Sequence, residues 1–122
     1  MSTLARCGVV GHPIAHSLSP EIHAAFAAQF GRALDYQRID LAPEQLAEGV
    51  RAFFAAGGTG LNITLPHKHA AAKLADRLGP WAQRLDAVNL LTREADASIS
   101  GENADGAALV HDLSERYRVD LR

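Results

Sequence analysis

The sequence predicts one α/β domain over residues 1–122, a three-layer α/β/α sandwich whose sheet is mostly parallel and contains one antiparallel hairpin. Three observations support this prediction. Strand-like and helix-like stretches alternate along most of the chain, a pattern typical of βαβ units. The chain has 122 residues, enough for one domain and short for two. Apolar residues make up 48% of it and charged residues 21%, the balance of an ordinary globular protein.

The first strand–helix unit is predicted near the N-terminus. The apolar run Cys7–Gly11 is typical of a buried strand and stops before Pro13. Ser19 suits the N-cap of a helix, and Pro20 suits its first position. Gly31 is expected to end this helix. Its predicted inward face, at helical spacing, is formed by Ile22, Ala25, Phe26 and Phe30.

Two further units follow in the same order. Leu34–Leu41 is predicted to be the second strand, and Pro43 leads into a second helix that ends at Gly57 and Gly58. The apolar stripe of that helix comprises Leu46, Val50, Phe53 and Phe54. Leu61–Leu65 is rich in strand-forming residues and is stopped by a proline, so it is predicted to be the third strand.

The C-terminal half begins with an alanine-rich stretch, His67–Leu78, which is predicted to be helical. Its expected inward residues are Ala71, Leu74 and Leu78. A short helical piece is expected at Trp81–Leu85, after Gly79 and Pro80. The stretches Ala87–Thr92 and Ser98–Glu102 flank a polar turn, which predicts an antiparallel hairpin.

A last helix is expected to begin near Asp105 and Gly106. Its apolar positions are Leu109, Leu113 and Tyr117. The predicted order of elements is therefore βαβαβα followed by ββα. We find no repeat, linker or low-complexity segment in the sequence.

Composition and charge exclude several classes of protein. Twelve basic and fourteen acidic residues give a net charge of −2, and no basic run appears, which argues against a nucleic-acid partner. The one cysteine, Cys7, permits no internal disulfide and fits a reducing compartment. No stretch approaches the ~20 apolar residues that cross a bilayer, and the N-terminus lacks a signal-peptide pattern. We therefore expect a cytoplasmic protein with no membrane partner.

Polar clusters lie where predicted strands give way to loops or helices, the edge at which open α/β sheets bind ligands. These clusters are His16–Pro20, Asn62–Lys68, Ala87–Asn89 and Gly101–Gly106. Ser17 and Ser19 stand beside a helix N-terminus, where two hydroxyls and the helix dipole suit a carboxylate. The alternative is that Ser19 only caps its helix and Ser17 is a loop residue.

The other polar residues leave similar alternatives open. Lys68 is either a solvated surface charge or an ammonium that donates to a carbonyl oxygen gaining charge. Asp105 would serve as an N-cap, while Asn89 and Asn103 either bind a polyol or cap turns. No histidine pair has the companions of a zinc site, so we expect no metal. The full G-x-G-x-x-G pattern is absent, so the residues predict no dinucleotide site.

Taken together and in order, these clusters resemble the N-terminal, substrate-binding domain of the shikimate dehydrogenase family. The resemblance runs from about Val9 to the last helix, nearly the whole chain. The segments that carry it are Gly11–Pro20 with Ile22 and His23, Gly57–Gly58, Asn62–Lys68, Ala87–Asn89 and Asn103–Gly106. Each segment is modestly specific, but five in one order are very specific.

The resemblance implies an NADPH-dependent oxidoreductase of the shikimate pathway, which leads to the aromatic amino acids. The implied reaction is the reversible reduction of 3-dehydroshikimate to shikimate, a carboxylated polyol. Lys68 and Asp105 would form the catalytic pair at the reacting C–O group, and both would also bind the substrate. The other implied substrate-binding residues are Ser17 and Ser19 at the carboxylate, and Thr64 and Asn89 at the ring hydroxyls.

Two segments depart from the family pattern. Leu90 and Ala104 stand where family members usually carry threonine, and Glu102 stands where they usually carry aspartate. These changes leave Lys68 and Asp105 intact but remove two hydroxyls. Quinate and an aminoshikimate therefore remain alternatives to shikimate.

Family members continue into a second, Rossmann-type domain, whereas this chain stops at Val119–Arg122, about where the first strand of that domain would begin. We therefore expect an isolated domain that binds no NADP alone and is inactive without the missing nucleotide-binding domain. The choice between NADP and NAD would lie in that domain. One alternative is a stand-alone binding or regulatory module for a shikimate-like or quinate-like ligand that has lost catalysis. Another is an unrelated α/β domain whose serines and aspartate only cap helices.

Overall fold

The structure is a computed structural model that describes residues 4–116. Its strands are β1 (Ala5–Gly11), β2 (Leu34–Asp40), β3 (Gly60–Ile63), β4 (Arg77–Leu78), β5 (Leu90–Arg93) and β6 (Ile99–Glu102). Its α-helices are α1 (Ser19–Gln29), α2 (Leu46–Ala55), α3 (Lys68–Ala72), α4 (Pro80–Leu85) and α5 (Asp105–His111). A 3₁₀ turn, Pro43–Gln45, precedes α2, and a π-helical turn, Asp112–Arg116, follows α5. No helix in the described part of the chain is long and apolar enough to span a membrane.

The strands form one six-stranded sheet in the order β2-β1-β3-β5-β6-β4. β1 pairs in parallel with β2 and β3, and β4 pairs in parallel with β6. β5 runs antiparallel to both of its neighbours, β3 and β6. The turn of the β5–β6 hairpin is closed by the N–H of Glu94, which donates to the carbonyl of Ser98 at 2.8 Å. The predicted mostly parallel sheet with one antiparallel hairpin is confirmed.

Helices cover both faces of the sheet, as alternating residues of β2 show. Tyr36 points towards α1, where its ring stacks on His23. Ile39, three residues on, points to the opposite face and packs against the core that contains Val50 and Phe54 of α2. Because successive side chains of a strand alternate between faces, α1 and α2 lie on opposite sides of the sheet.

The main core lies between the sheet and the face of α2 and α3. Its buried members are Val10, Leu46, Val50, Phe54, Leu61, Ile63, Ala71, Ala72, Ala82, Val88 and Leu91. Leu61 and Leu91 face each other in the β3–β5 register and are fully buried. Full burial of such side chains stabilises the fold by about 1.5–3 kcal/mol each. His67 is buried at the edge of this core, where its Nε2 donates to the carbonyl of Leu41 at 2.5 Å.

The expected inward face of α1 was wrong. Ile22, Phe26 and Phe30 are 48%, 54% and 71% exposed, and no residue of α1 is buried. The helix instead turns His23 towards the sheet, where its ring lies 4.4 Å from that of Tyr36. This rotation carries the neighbouring apolar ridge away from the sheet.

The predicted long helix His67–Leu78 was also wrong in its extent, because α3 ends at Ala72. Beyond it, the N–H groups of Asp76 and Gly79 donate to carbonyls of β6 at 2.7 and 2.9 Å, so this part of the chain forms β4. Sheet pairing therefore overrides the helix propensity of the alanines. The predicted inward positions nevertheless face the core: Ala71 is buried, and Leu74 and Leu78 pack against it.

The last helix begins at Asp105, as the sequence predicts. Leu109 lies within it and is 60% exposed. Tyr117, the last of its predicted apolar positions, lies outside the described residues.

Candidate active site

Three polar side chains meet at one edge of the sheet because of the strand directions. Lys68 begins α3 just after β3, Asp105 begins α5 just after β6, and Asn89 immediately precedes the antiparallel β5. The start of β5 therefore lies beside the ends of β3 and β6. The carbonyl of Asn89 accepts the N–H of Ile63, and its own N–H donates to the carbonyl of Glu102, both at 2.9 Å. These bonds fix Asn89 between Lys68 and Asp105.

The side chains of these three residues form one hydrogen-bonded group. Nζ of Lys68 donates to Oδ2 of Asp105 at 2.6 Å. Nδ2 of Asn89 donates to Oδ1 of the same carboxylate at 2.9 Å, and its Oδ1 accepts the N–H of Ala104 at 3.2 Å. The side chains of Lys68 and Asp105 remain 32% and 55% exposed, so a ligand can reach them.

The electrostatics of the group favour an ionised carboxylate. The hydrogen bond from Lys68 lowers the pKa of Asp105 below its ordinary value. Partial burial opposes this change, while the hydrogen bond from Asn89 and the charge of Lys68 add to it. Asp105 is therefore a carboxylate at neutral pH, and it offers a charged acceptor to the lysine ammonium.

Asn103 has a structural role, which the sequence left open. It is only 7% exposed. Its Nδ2 donates to the carbonyl of Ala87 at 3.1 Å, and its Oδ1 accepts the N–H of Asp105 at 2.9 Å. Asn103 thus caps the first N–H of α5, which leaves the carboxylate of Asp105 free to pair with the lysine.

A cavity of about 350 Å³ lies beside the ends of β1 and β3. It is lined by His12, Pro13, Ile14, His16, Ser17, Ser19, Thr64 and Leu65. Three of the predicted substrate-binding residues, Ser17, Ser19 and Thr64, therefore share one cavity. The prediction that Ser19 is the N-cap of α1 was wrong: Leu18 holds that position, and the hydroxyl of Ser17 accepts the N–H of Ser19 at 3.2 Å.

Arg38 of β2 supports the serine loop, which is the loop of residues 12–18 between β1 and α1 that carries Ser17. The sequence did not reveal this role. Its Nε and Nη2 donate to the carbonyl of Ser17 at 3.0 and 2.6 Å. Its Nη2 also donates to Oε1 of Glu21 in α1 at 2.5 Å. The guanidinium thereby joins β2 to both the loop and the first turn of the helix.

Tyr36 and Asn62 form a second polar contact that sequence reasoning missed. The hydroxyl of Tyr36 donates to Oδ1 of Asn62 at 2.6 Å. Asn62 stands two residues before Thr64, so the strand period points both side chains to the same face. The sequence places Asn62 in the polar cluster Asn62–Lys68, but it gives no sign of the contact with Tyr36.

A larger cavity, of about 560 Å³, lies where α1 ends and β1 and β2 begin. Phe26, Phe30 and Leu34 are among the residues that line it. It contains none of the six predicted site residues, and it opens at the other end of β1 from Lys68 and Asp105. Lys68, Asn89 and Asp105 do not line the serine-lined cavity. They are connected to it through β3, because Thr64 lines the cavity and follows Ile63, whose N–H donates to the carbonyl of Asn89. We therefore identify the smaller, serine-lined cavity and the lysine–aspartate pair at the same edge of the sheet as the candidate site.

Comparison with known proteins identifies the family of the chain. Residues 9–91 match the family model described as the shikimate dehydrogenase substrate binding domain. The shikimate dehydrogenase (NADP(+)) of Xanthomonas campestris pv. campestris (strain 8004) is 51% identical over 119 residues, which are 98% of this chain and 42% of that protein. The chain thus spans about two fifths of the length of such relatives.

Solved structures show the same fold. An Ael1 enzyme from Pseudomonas putida has a TM-score of 0.86 and 40% identity, over 97% of this chain and 43% of its own. The shikimate 5-dehydrogenase of Thermus thermophilus, in complex with NADP(H) and shikimate, has a TM-score of 0.83 and 33% identity, over 97% of this chain and 44% of its own. The chain belongs to the shikimate dehydrogenase family, and it corresponds to the family's substrate-binding domain.

Proposed function

We propose that this chain is the substrate-binding and catalytic part of an NADP-dependent shikimate dehydrogenase, which reversibly reduces 3-dehydroshikimate to shikimate. The observation that supports this most directly is the ion pair of Lys68 and Asp105, which is accessible to a ligand and 2.6 Å long. It lies at the same edge of the sheet as a cavity whose lining includes Ser17, Ser19 and Thr64. This combination suits a small molecule that carries a carboxylate, several hydroxyls and one reacting C–O group.

The lysine–aspartate pair suits the chemistry at that C–O group. When a ketone carbon accepts a hydride, negative charge develops on its oxygen, and a nearby ammonium stabilises this charge and supplies a proton. Lys68 would make that contact, while Asp105 holds its Nζ in place. In the reverse direction the pair accepts the proton of the alcohol. We assign the proton transfer to the pair jointly, because the protonation of each of two strongly interacting groups depends on that of the other.

The serines suit the substrate carboxylate. Ser17 and Ser19 stand at the start of α1, an eleven-residue helix whose dipole is positive at this end. Thr64, Asn89 and Asp105 would contact the ring hydroxyls. Asn62, on the same face as Thr64, adds a further amide to this set.

We assign the binding of the nicotinamide cofactor to a part of the complete protein outside this chain. The sequence lacks the G-x-G-x-x-G turn that holds a dinucleotide, and the chain matches 42% of the length of its NADP-dependent relative. NADPH, bound by that other part of the complete protein, would supply the hydride. We therefore propose that the isolated chain binds its substrate but does not reduce it.

The exact polyol is also a proposal. Leu90 follows Asn89 into β5, where its Cα partners are Asn62 and Glu102. An apolar side chain at this position removes one possible hydrogen bond to the ligand. Shikimate is the favoured substrate, and quinate and an aminoshikimate are the competitors to be compared with it.

The test uses the product of the complete reading frame. It should oxidise shikimate with NADP faster than it oxidises quinate, or either substrate with NAD. In parallel, calorimetric titration of shikimate into the 122-residue chain should give weaker binding for Ser17→Ala and Lys68→Ala. Equal binding by all three proteins would remove the site assignment. A complete protein that binds shikimate without turning it over would instead support the non-catalytic binding module.

A further inference from the structure

Tyr36 reaches Asn62 from two strands away. β1 lies between β2 and β3, with Cys7 opposite Tyr36 and Val9 opposite Asn62. The tyrosine side chain therefore crosses above β1 so that its hydroxyl can donate to Oδ1 of Asn62 at 2.6 Å. A half-buried contact of this length between non-adjacent strands restricts the rotation of the asparagine amide.

The direction of this hydrogen bond decides what Asn62 offers to a ligand. Burial raises the pKa of Tyr36 to about 12, and a hydrogen bond with the side chain of Ser19 partly opposes this rise. Tyr36 thus stays protonated at physiological pH and can donate to Asn62. An asparagine amide has one acceptor oxygen and one donor nitrogen. With Oδ1 bound to Tyr36, Nδ2 is the remaining group, and it makes no hydrogen bond within residues 4–116.

The ring of Tyr36 is itself held by α1. His23 stacks on it with ring centroids 4.4 Å apart and an interplanar angle of 13°. Nδ1 of His23 lies 2.9 Å from the carbonyl of Ser19, to which it donates when protonated there. The orientation of Tyr36 is therefore tied to the helix turn that carries the cavity serine.

We propose that Tyr36 is a positioning residue of the substrate site, because its hydroxyl fixes the Asn62 amide with Nδ2 directed to a substrate oxygen beside Thr64. The inference rests on the proposed function, since it assumes that a polyhydroxylated substrate occupies this cavity. Tyr36 acts through Asn62 and does not contact the reacting C–O group. Its loss should therefore affect substrate affinity and leave the chemical step at Lys68 unchanged.

The first test is Tyr36→Phe in the complete protein. This substitution keeps the ring that stacks on His23 and removes only the hydroxyl. The KM for shikimate should rise about fivefold, as expected for one ordinary hydrogen bond, while kcat stays within about twofold. A raised KM with an unchanged kcat assigns the lost interaction to substrate binding rather than to the chemical step.

The second test is a double-mutant cycle with Asn62→Ala, which separates positioning from a general structural role. In the Asn62→Ala background, Tyr36→Phe should no longer change KM. Asn62→Asp keeps an acceptor for Tyr36 but lacks the N–H donor, so its KM should rise as in Asn62→Ala. Thermal unfolding of each variant shows whether a change in KM follows a loss of stability.

The possible results distinguish this inference from the proposed function. A rise in KM that disappears in the Asn62→Ala background supports the inference. Equal rises in both backgrounds, or a fall in kcat, overturn it. An unchanged KM in Tyr36→Phe, together with a raised KM in Ser17→Ala, overturns the role of Tyr36 and leaves the substrate site standing. A wild-type protein that neither binds nor oxidises shikimate removes both.

Discussion

Nζ of Lys68 lies 2.6 Å from Oδ2 of Asp105, although 37 positions separate the two residues in the chain. The contact exists because β3 and β6 end at the same edge of the sheet, where each leads through a short loop to a helix that begins with Lys68 or Asp105. The antiparallel β5 lies between them and brings Asn89 to the same carboxylate. Sheet topology, rather than any local motif, thus assembles the pair.

Lys68→Ala in the complete protein should lower kcat for shikimate oxidation by about 10²–10⁴-fold, because the ammonium acts where charge changes at oxygen. KM should change much less. Steady-state kinetics with saturating cofactor measures both values.

The matched control is Lys73→Ala. Lys73 is the only other lysine of the chain, and it is exposed just after α3. Its loss should leave kcat and KM unchanged. A Lys68→Ala variant that changes only KM would show that the lysine binds the substrate without taking part in the chemistry.

The carboxylate of Asp105 should titrate below the ordinary range, which is about 3.9 for aspartate. Because its pKa in the folded protein is lowered, the pairing stabilises the fold above the ordinary value and is lost as pH falls through the lowered pKa. Lys68→Gln should raise this pKa more than Asn89→Ala does, since the hydrogen bond from Lys68 is the largest cause. Titration of the side-chain carboxyl carbon by NMR measures the values. The reverse order of the two variants would mean that Asn89 is the main partner of the carboxylate.

Ser17→Ala should raise the KM for shikimate about tenfold or more and leave kcat nearly unchanged, because hydrogen bonds to a carboxylate are stronger than neutral ones. Ser100→Ala, which removes a hydroxyl from β6 away from the cavity, is the control and should behave as wild type. An analogue in which a carboxamide replaces the substrate carboxylate should lose less affinity in Ser17→Ala than shikimate does, because its neutral oxygen accepts a weaker hydrogen bond. An unchanged KM in Ser17→Ala would show that the substrate carboxylate does not bind at Ser17.

Much of the fold follows from local patterns. Gly57 has a φ of +100°, a conformation that suits glycine, and it ends the second helix as predicted. The apolar stripe Leu46, Val50 and Phe54 is buried as expected. The end of α3 could not be predicted from local patterns. The residues beyond it form β4, which depends on a partner strand twenty-odd residues later. The rotation of α1 did not follow either, because the stacking of His23 on Tyr36 has no counterpart in hydrophobic periodicity.

The candidate site could likewise be predicted only in part from the sequence. The polar clusters at the strand ends could be found by residue type and order, and the structure joins Lys68, Asn89 and Asp105 directly. Arg38 and Tyr36 could not be found, because each acts through side-chain contacts with elements distant in sequence. Such contacts depend on the twist and register of the sheet, which no local motif records.

Arg38→Met should raise the KM for shikimate several-fold, because it removes both hydrogen bonds that hold the carbonyl of Ser17 and keeps most of the side-chain bulk. Arg38→Lys should have an intermediate effect, since an ammonium can donate one of the two bonds. Kinetics of the complete protein measures this. Arg77→Met is the control, because Arg77 contacts Asp96 and Ser98 beside the hairpin and not the serine loop. Equal effects of the two methionine variants would assign the change to stability alone.

Gly11→Ala should damage both the fold and the site. A Cβ added at Gly11 would lie 2.6 Å from Cγ2 of Thr64 and 2.8 Å from Cδ1 of Ile14, two residues that line the cavity. Overpacking of this kind costs about 1–3 kcal/mol, and relief by movement of Thr64 would displace its hydroxyl from the substrate. Denaturant unfolding and shikimate titration measure the two effects. Gly60→Ala is the matched control, since its Cβ meets only the carbonyl oxygen of Leu91 at 3.4 Å. If Gly11→Ala lost stability but bound shikimate as tightly as wild type, Thr64 would not belong to the substrate site.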